Sequence, residues 1–182
     1  MITAESPRLL NSLWRGGHLS RLPAIWPLRR MPEIETAELL ARAAQHEAGH
    51  AVAALHYRLP LLEVVIRDDG SGNTSYCRNL GLPEAEDWCV TTFCGGEAEH
   101  DRFHDRRGDH GDLLAITNML AKLKLDWSER RLAELRHQAR HLVKRERSRI
   151  RTVAAALLRH RRLSAFDVKW LKACSVPRPM RM

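Results

Sequence analysis

The sequence is short of aromatic residues, of paired cysteines and of long apolar runs, and each shortage narrows what the chain can be. Phe, Trp and Tyr make up 5% of the 182 residues, so the core has to be built mainly from Leu, Ala, Val and Ile. The four cysteines, Cys77, Cys89, Cys94 and Cys174, include no Cys-x-x-Cys pair, which disfavours a disulfide framework or a structural zinc knuckle. We therefore expect reduced thiols and a cytoplasmic protein.

No segment approaches the roughly 20 consecutive apolar residues that a membrane helix requires, so we expect no transmembrane segment. Charged residues and prolines interrupt positions 1–31 throughout, which is unlike a signal peptide. Hydrophobic residues at 44% and charged residues at 29% are ordinary globular values, and the length suits one domain. The predicted organisation is a basic extension with Pro and Trp at 1–31, a domain at 32–176 and a tail at 177–182.

Apolar periodicity and turn residues predict a mainly α fold with one small β-sheet. The first helix is expected to begin after Pro32 and to end near Tyr57, with apolar residues three and four apart. Ser164 is expected to cap the last helix, which ends at Leu171. The other predicted elements are strands at 61–67 and 74–78, a helix at 83–103, a polar loop at 102–111, a helix opened by Asp112, and a long helix at 128–160.

The segment His46-Glu47-Ala48-Gly49-His50 lies in the middle of the first predicted helix. Residues at i and i+4 share a helix face, so both imidazoles can bind one tetrahedral Zn²⁺ through bonds of about 2.0–2.1 Å. Glu47 can then accept the proton of a zinc-activated water that attacks a peptide carbonyl, and pass it to the leaving amine. The spacing predicts a zinc site with Glu47 as catalytic base. The competing interpretation is two surface histidines on an ordinary amphipathic helix.

Small residues around this segment favour the metal site. Gly49 costs about 1 kcal/mol relative to Ala in a helix interior, so its presence indicates another backbone close by. A hydrolytic zinc site usually has a third protein ligand, and spacing alone leaves its identity open. The candidates are Glu97, Glu99, His100, His104, Asp109, His110 and Asp112.

The HExxH motif at 46–51 is followed by 63–67 with a glycine-containing turn, the Gly-Gly segment 95–99, 111–117, and the closing segments 155–158 and 163–164. In this order the segments resemble the peptidase domain of the FtsH-type ATP-dependent zinc metalloproteases, and the similarity covers about residues 34–174. The resemblance implies a helical zinc metallopeptidase domain in which His46, His50 and Asp112 hold Zn²⁺ and Glu47 is the base. Asp109 is the nearest rival to Asp112.

The sequence also departs from this family. Its members carry an ATPase module and membrane helices before the peptidase domain, and this sequence contains neither, nor a Walker A loop. We therefore expect cleavage of flexible or small polypeptides, or of substrates that a separate ATPase or other partner delivers. The relatives form rings, which implies a homo-oligomer. Glu99 stands where the family has alanine, and His100 also departs from its pattern.

The positive charge is concentrated in one stretch. The formal charge of the chain is +8, and residues 128–162 contain twelve Arg or Lys against three Glu, a net +9. Arg136, Arg140, Arg147 and Arg151 would contact phosphates if this helix bound nucleic acid. The alternative function is a catalytically weak or inactive peptidase-like module that binds nucleic acid or a protein partner through its basic C-terminal helices. A solvated helix face is the simpler interpretation, because no aromatic residues interleave for stacking.

Overall fold

The computed structural model describes residues 33–77, 81–125 and 127–174, and its fold is mainly helical with one small antiparallel sheet, as the sequence predicts. The predicted extension at 1–31 and tail at 177–182 lie outside the described residues. No helix within the described ranges is long and apolar enough to cross a membrane. The elements are α1 (Glu33–His56), β1 (Leu61–Ile66), β2 (Gly72–Tyr76), a 3₁₀ turn (Leu82–Glu84), α2 (Ala85–Phe103), α3 (Asp109–Lys122), α4 (Glu129–His160), β3 (Arg162–Ser164) and α5 (Ala165–Cys174).

Helix α1 packs against α2 and α4 through small side chains. Ala44, Ala48 and Ala51 are fully buried, at the three- and four-residue spacing of one helix face. A Cβ built on Gly49 would lie 2.4 Å from the carbonyl oxygen of Cys94 in α2. This close backbone approach confirms the prediction made from the glycine.

We expect Gly49→Ala to destabilise the fold by roughly 1–3 kcal/mol, the usual cost of forcing extra atoms into a packed interior. Helix propensity alone would favour the same change by about 1 kcal/mol, so the two effects have opposite signs. Denaturant unfolding in a chelator-containing buffer, where bound metal cannot contribute, measures the difference. Gly111→Ala in α3 is the matched control, because a Cβ there would meet nothing within 4 Å. A Gly49→Ala protein as stable as its parent would contradict the close approach.

Strand β1 is the centre of the sheet, with β2 and β3 as antiparallel neighbours in the order β2-β1-β3. Val64 and Ile66 of β1 are buried. The third strand differs from the prediction, which contained only the β1–β2 hairpin. Three residues between two helices are too few for a period-2 pattern to be recognised. Strand β2 also begins at Gly72, earlier than predicted, and ends at Tyr76.

Helix α3 begins at Asp109, so the prediction that Asp112 opens it is wrong by three residues. Both aspartates lie near the helix N-terminus, where the helix dipole favours acidic side chains. The sequence alone therefore does not determine at which of them the helix begins. Asp109 forms an ion pair with Arg136 of α4, which ties the start of α3 to α4. Asp112 therefore projects from the end of the first turn.

The predicted cap at Ser164 is confirmed, and the structure shows a second serine cap at Ser128. The hydroxyl of Ser128 accepts a 3.2 Å hydrogen bond from the backbone N–H of Arg131 at the start of α4. The hydroxyl of Ser164 accepts a 3.2 Å bond from the backbone N–H of Asp167 at the start of α5. Helix α5 continues to Cys174, past its predicted end.

Candidate metal centre

Two histidines of α1 and one aspartate of α3 converge on a single point. The Nε2 atom of His46 lies 3.2 Å from Oδ2 of Asp112, and Nε2 of His50 lies 3.4 Å from Oδ1. Both histidines are only 8% exposed. Donor atoms bound to one tetrahedral Zn²⁺ at about 2.0–2.1 Å are roughly 3.3 Å apart. The two His–Asp112 separations are therefore in the range expected for ligands of one metal ion.

Contacts behind the two rings orient Nε2 toward Asp112. Nδ1 of His50 lies 2.9 Å from the backbone carbonyl oxygen of Thr91. Because a carbonyl only accepts hydrogen bonds, Nδ1 carries the proton of the neutral ring and Nε2 keeps its lone pair. Nδ1 of His46 lies 3.5 Å from Oε2 of Glu99. A carbonyl or carboxylate behind the ring is the usual arrangement of a metal-binding histidine.

The carboxylate of Asp112 is not satisfied by hydrogen bonds. Its Oδ2 is buried and has no hydrogen-bond partner in the described part of the chain, because its 3.2 Å contact with His46 lacks hydrogen-bond geometry. An unpaired buried polar group costs about 1–3 kcal/mol, and a charged one costs more. A cation held by the three side chains would pair with this oxygen, so the residues present fit a metal ion.

The electrostatics of the site favour positive charge between the two rings. Burial by itself lowers the pKa of His46, but Asp112 and Glu99 outweigh it and raise this pKa to about 10. Burial would raise the pKa of Asp112, and the imidazoles of His50 and His46 instead hold it well below its usual range. A divalent cation would supply the same positive charge with both imidazoles neutral.

Glu47 lies beside this point and is held by strand β2. The ligand-type atoms of His46, Glu47 and His50 lie within 4.8 Å of one another, a span that one water molecule can bridge. The hydroxyl of Thr74 donates a 2.7 Å hydrogen bond to Oε2 of Glu47. One oxygen of Glu47 is engaged in this way, whereas the Asp112 carboxylate contacts both Nε2 atoms. Asp112 is therefore the stronger candidate for a third ligand.

Glu99 has a role that the sequence did not reveal. It is 2% exposed, and its carboxylate lies behind His46, on the side of the ring away from Asp112. Oε2 accepts a 3.1 Å hydrogen bond from the backbone N–H of Gly108, and Oε1 accepts a 3.1 Å bond from Arg42. The available signal was an acid at a position where the resembling segment has alanine. Only the fold shows that this acid faces a histidine.

We expect Glu99→Gln to weaken zinc binding by roughly 10- to 100-fold, because loss of the partner behind a metal-binding histidine usually has an effect of this size. Competition with a chromophoric zinc chelator measures the affinity. Glu38→Gln is the matched control, since Glu38 also binds Arg42 but is exposed on α1. Equal zinc affinity in the Glu99→Gln and Glu38→Gln proteins would show that Glu99 does not orient His46.

Among the other candidate ligands, two acids form ion pairs with an arginine and two histidines are exposed at the surface. Asp109 and Glu97 both form ion pairs with Arg136. His110 is exposed, and His104 ends α2 in the left-handed backbone conformation at φ 60°. The structure thus brings His46, Glu47, His50 and Asp112 together, and it places Asp109 against an arginine.

Several arginines of helix α4 form ion pairs with acidic side chains of α2 and α3. Arg136 and Arg140 bind the buried carboxylate of Glu97 through Nε atoms at 2.9 and 3.1 Å. Arg147 forms an ion pair with an aspartate of α2. Three of the four arginines in the predicted phosphate-binding stripe therefore have acidic partners in the fold. Arg151 forms no ion pair with any described residue.

A pocket of about 370 Å³ opens beside the site. It is lined by residues of α1, of the β1–β2 turn and of the start of α3, and His46, Glu47 and Asp112 are among them. The buried donor atoms are thus within reach of a molecule that enters from the surface.

No protein-family model matches this sequence, and no curated protein is significantly similar to it. The fold and site by themselves define a helical domain in which two imidazoles and a carboxylate face one another. A second carboxylate lies beside them, and the group has the chemistry to hold a divalent metal.

Proposed function

We propose that this chain is a zinc-dependent metalloendopeptidase, with a site like that of the FtsH-type peptidase domain. The observation that carries the proposal is the convergence of the His46 and His50 Nε2 atoms on the Asp112 carboxylate. Their separations suit ligands of one zinc ion. Two imidazoles with one carboxylate also favour zinc over calcium or magnesium, which prefer oxygen ligands.

Each residue of the site would have a definite task in peptide hydrolysis. His46, His50 and Asp112 would hold the ion. When bound, Zn²⁺ lowers the pKa of a water to about 7 and polarises the carbonyl of the peptide bond. Glu47 accepts a proton from the attacking water and delivers it to the leaving amine. The hydrogen bond from Thr74 keeps one oxygen of Glu47 in place and leaves the other for the water.

Burial of the site supports a flexible substrate. Because His46, Glu47 and His50 are at most 8% exposed, only an extended chain can bring its backbone carbonyl to them. A folded protein would first have to be unfolded. In this proposal a separate ATPase or delivery partner would unfold such substrates and present them to the site. The homo-oligomer implied by the resemblance stays a prediction, which light scattering tests.

Removal of the metal tests the proposal. We expect purified protein to cleave an unstructured fluorogenic polypeptide, and a zinc chelator to abolish the cleavage. Return of one equivalent of Zn²⁺ should restore it, whereas Ca²⁺ or Mg²⁺ should not, because imidazole ligands disfavour these ions. Cleavage that persists at full rate after complete chelation would rule out a zinc peptidase.

A further inference from the structure

Two exposed aromatic side chains lie one helical turn apart on α5. Phe166 is 74% exposed and Trp170 is 61% exposed, and their i, i+4 spacing places them on one helix face. With His160 and Arg162 they line a pocket of about 380 Å³ between α4 and α5. Both rings lie outside the basic stretch 128–162 in the sequence. The fold places them beside the end of α4, where they line a pocket together with its residues.

A basic groove adjoins this aromatic pocket along α4. It has a volume of about 630 Å³, is lined by Arg147, Arg151 and Arg159, and shares Ala156 and His160 with the aromatic pocket. Arg151 and Arg159 are exposed and form no ion pair with a described residue, so their charge is available to a ligand. The aromatic and basic parts form one continuous surface.

Acidic side chains cancel only part of this charge, because Arg147 is paired with an aspartate of α2 while Arg151 and Arg159 have no acidic partner in the described part of the chain. Asp167 is the one acid among the described residues that line either pocket, and its carboxylate accepts hydrogen bonds from the N–H and the hydroxyl of Ser164. Arg162 pairs with Glu63, but its side chain remains 65% exposed. The surface therefore combines stacking faces with an excess of positive charge.

We propose that the aromatic–basic groove, formed by Arg151, Arg159, Phe166 and Trp170, binds single-stranded nucleic acid. Unpaired bases stack on exposed aromatic rings while guanidinium groups bind the backbone phosphates, which is how proteins hold single strands without sequence preference. A duplex keeps its bases stacked on one another, so it would use the arginines alone. The rings line a concave pocket, which suits a polynucleotide better than a flat membrane surface.

Fluorescence anisotropy with labelled oligonucleotides tests this proposal on the full chain. The probes are oligo-dT and oligo-rU strands of roughly 15 nucleotides, with a duplex of equal length for comparison. We expect the single strands to bind more tightly than the duplex. The Phe166→Ala/Trp170→Ala protein should bind them at least about fivefold more weakly for each lost ring. Arg130→Ala is the matched control on α4, because its side chain is 91% exposed and does not line either pocket.

The salt dependence tests the arginines separately. Each phosphate contact contributes about 0.7 to the slope of log affinity against log salt for a single strand, so Arg151→Ala/Arg159→Ala should reduce this slope by about 1.4. All four side chains are exposed, so the variants should fold, which circular dichroism checks. Absence of single-strand binding at about 50 mM salt, or unchanged affinity in the aromatic variant, would overturn the proposal.

Two other experimental results would also contradict the nucleic-acid proposal. Aromatic-dependent binding to phosphatidylserine vesicles without oligonucleotide binding would assign the groove to a membrane surface. Self-association that the aromatic substitutions abolish, again without oligonucleotide binding, would assign it to a second copy of the chain.

Discussion

Replacement of Glu47 by glutamine is expected to reduce polypeptide cleavage by about 10²–10⁴-fold while the protein keeps its zinc. The amide has the shape of the carboxylate and can still accept the hydrogen bond that Thr74 donates, so the side chain should stay in place. It cannot take the proton of the attacking water. Cleavage rates and metal content, measured on the same preparation, separate the loss of the base from the loss of the ion.

The control for this substitution is Glu134→Gln, which changes an exposed carboxylate on α4 away from the site. It should leave both cleavage and zinc content unchanged. A Glu47→Gln protein that cleaves at the parental rate would show that another group takes the proton. Loss of zinc together with activity would instead place Glu47 among the ligands.

Asp112→Ala is expected to lower zinc affinity by more than the 10- to 100-fold that loss of an outer partner causes, because it removes one of three proposed ligands. Asp109→Ala should keep zinc, since Asp109 is bound to Arg136 and not to the histidines. Its main effect should be on stability, because Arg136 loses one of its two acidic partners. Zinc titrations of both proteins measure the affinities.

These two aspartates are matched in charge and lie one helical turn apart, so each is the control for the other. The reverse result, in which Asp109→Ala loses zinc and Asp112→Ala retains it, would contradict the ligand assignment. Loss of zinc in both proteins would indicate that the whole first turn of α3 must be intact.

The parts of the site that depend on local sequence could be predicted. The i, i+4 spacing of His46 and His50 on an apolar-periodic helix decides that they share a face. The glycine between them indicated the close approach of another backbone, and the structure shows that this backbone belongs to α2. The choice between Asp109 and Asp112 could not be made in this way, because both suit the same helix start. Arg136, distant in sequence, distinguishes them by binding Asp109.

Features that depend on contacts between distant parts of the sequence could not be predicted. Strand β3 pairs Leu163 with Val64, almost 100 residues earlier, and no local pattern indicates such a partner. Glu99 looked like a departure from a family motif until the fold placed it behind His46. The absence of aromatic residues within 128–162 argued against nucleic acid, yet Phe166 and Trp170 line the neighbouring pocket in three dimensions.

The peptidase proposal and the nucleic-acid proposal rest on different surfaces and can fail separately. Glu47 is buried on α1 beside β2, whereas the aromatic–basic groove is lined by residues of α4, β3 and α5. Glu47→Gln should leave oligonucleotide binding unchanged, and the groove variants should leave the cleavage of a short flexible peptide unchanged.

Anomalous diffraction at the zinc edge, from crystals of the Glu47→Gln protein, shows which side chains bind the metal. We predict one peak at about 2.0–2.2 Å from Nε2 of His46, Nε2 of His50 and a carboxylate oxygen of Asp112. A peak ligated by Asp109, or no peak at the two histidines in crystals grown with zinc, would contradict this prediction.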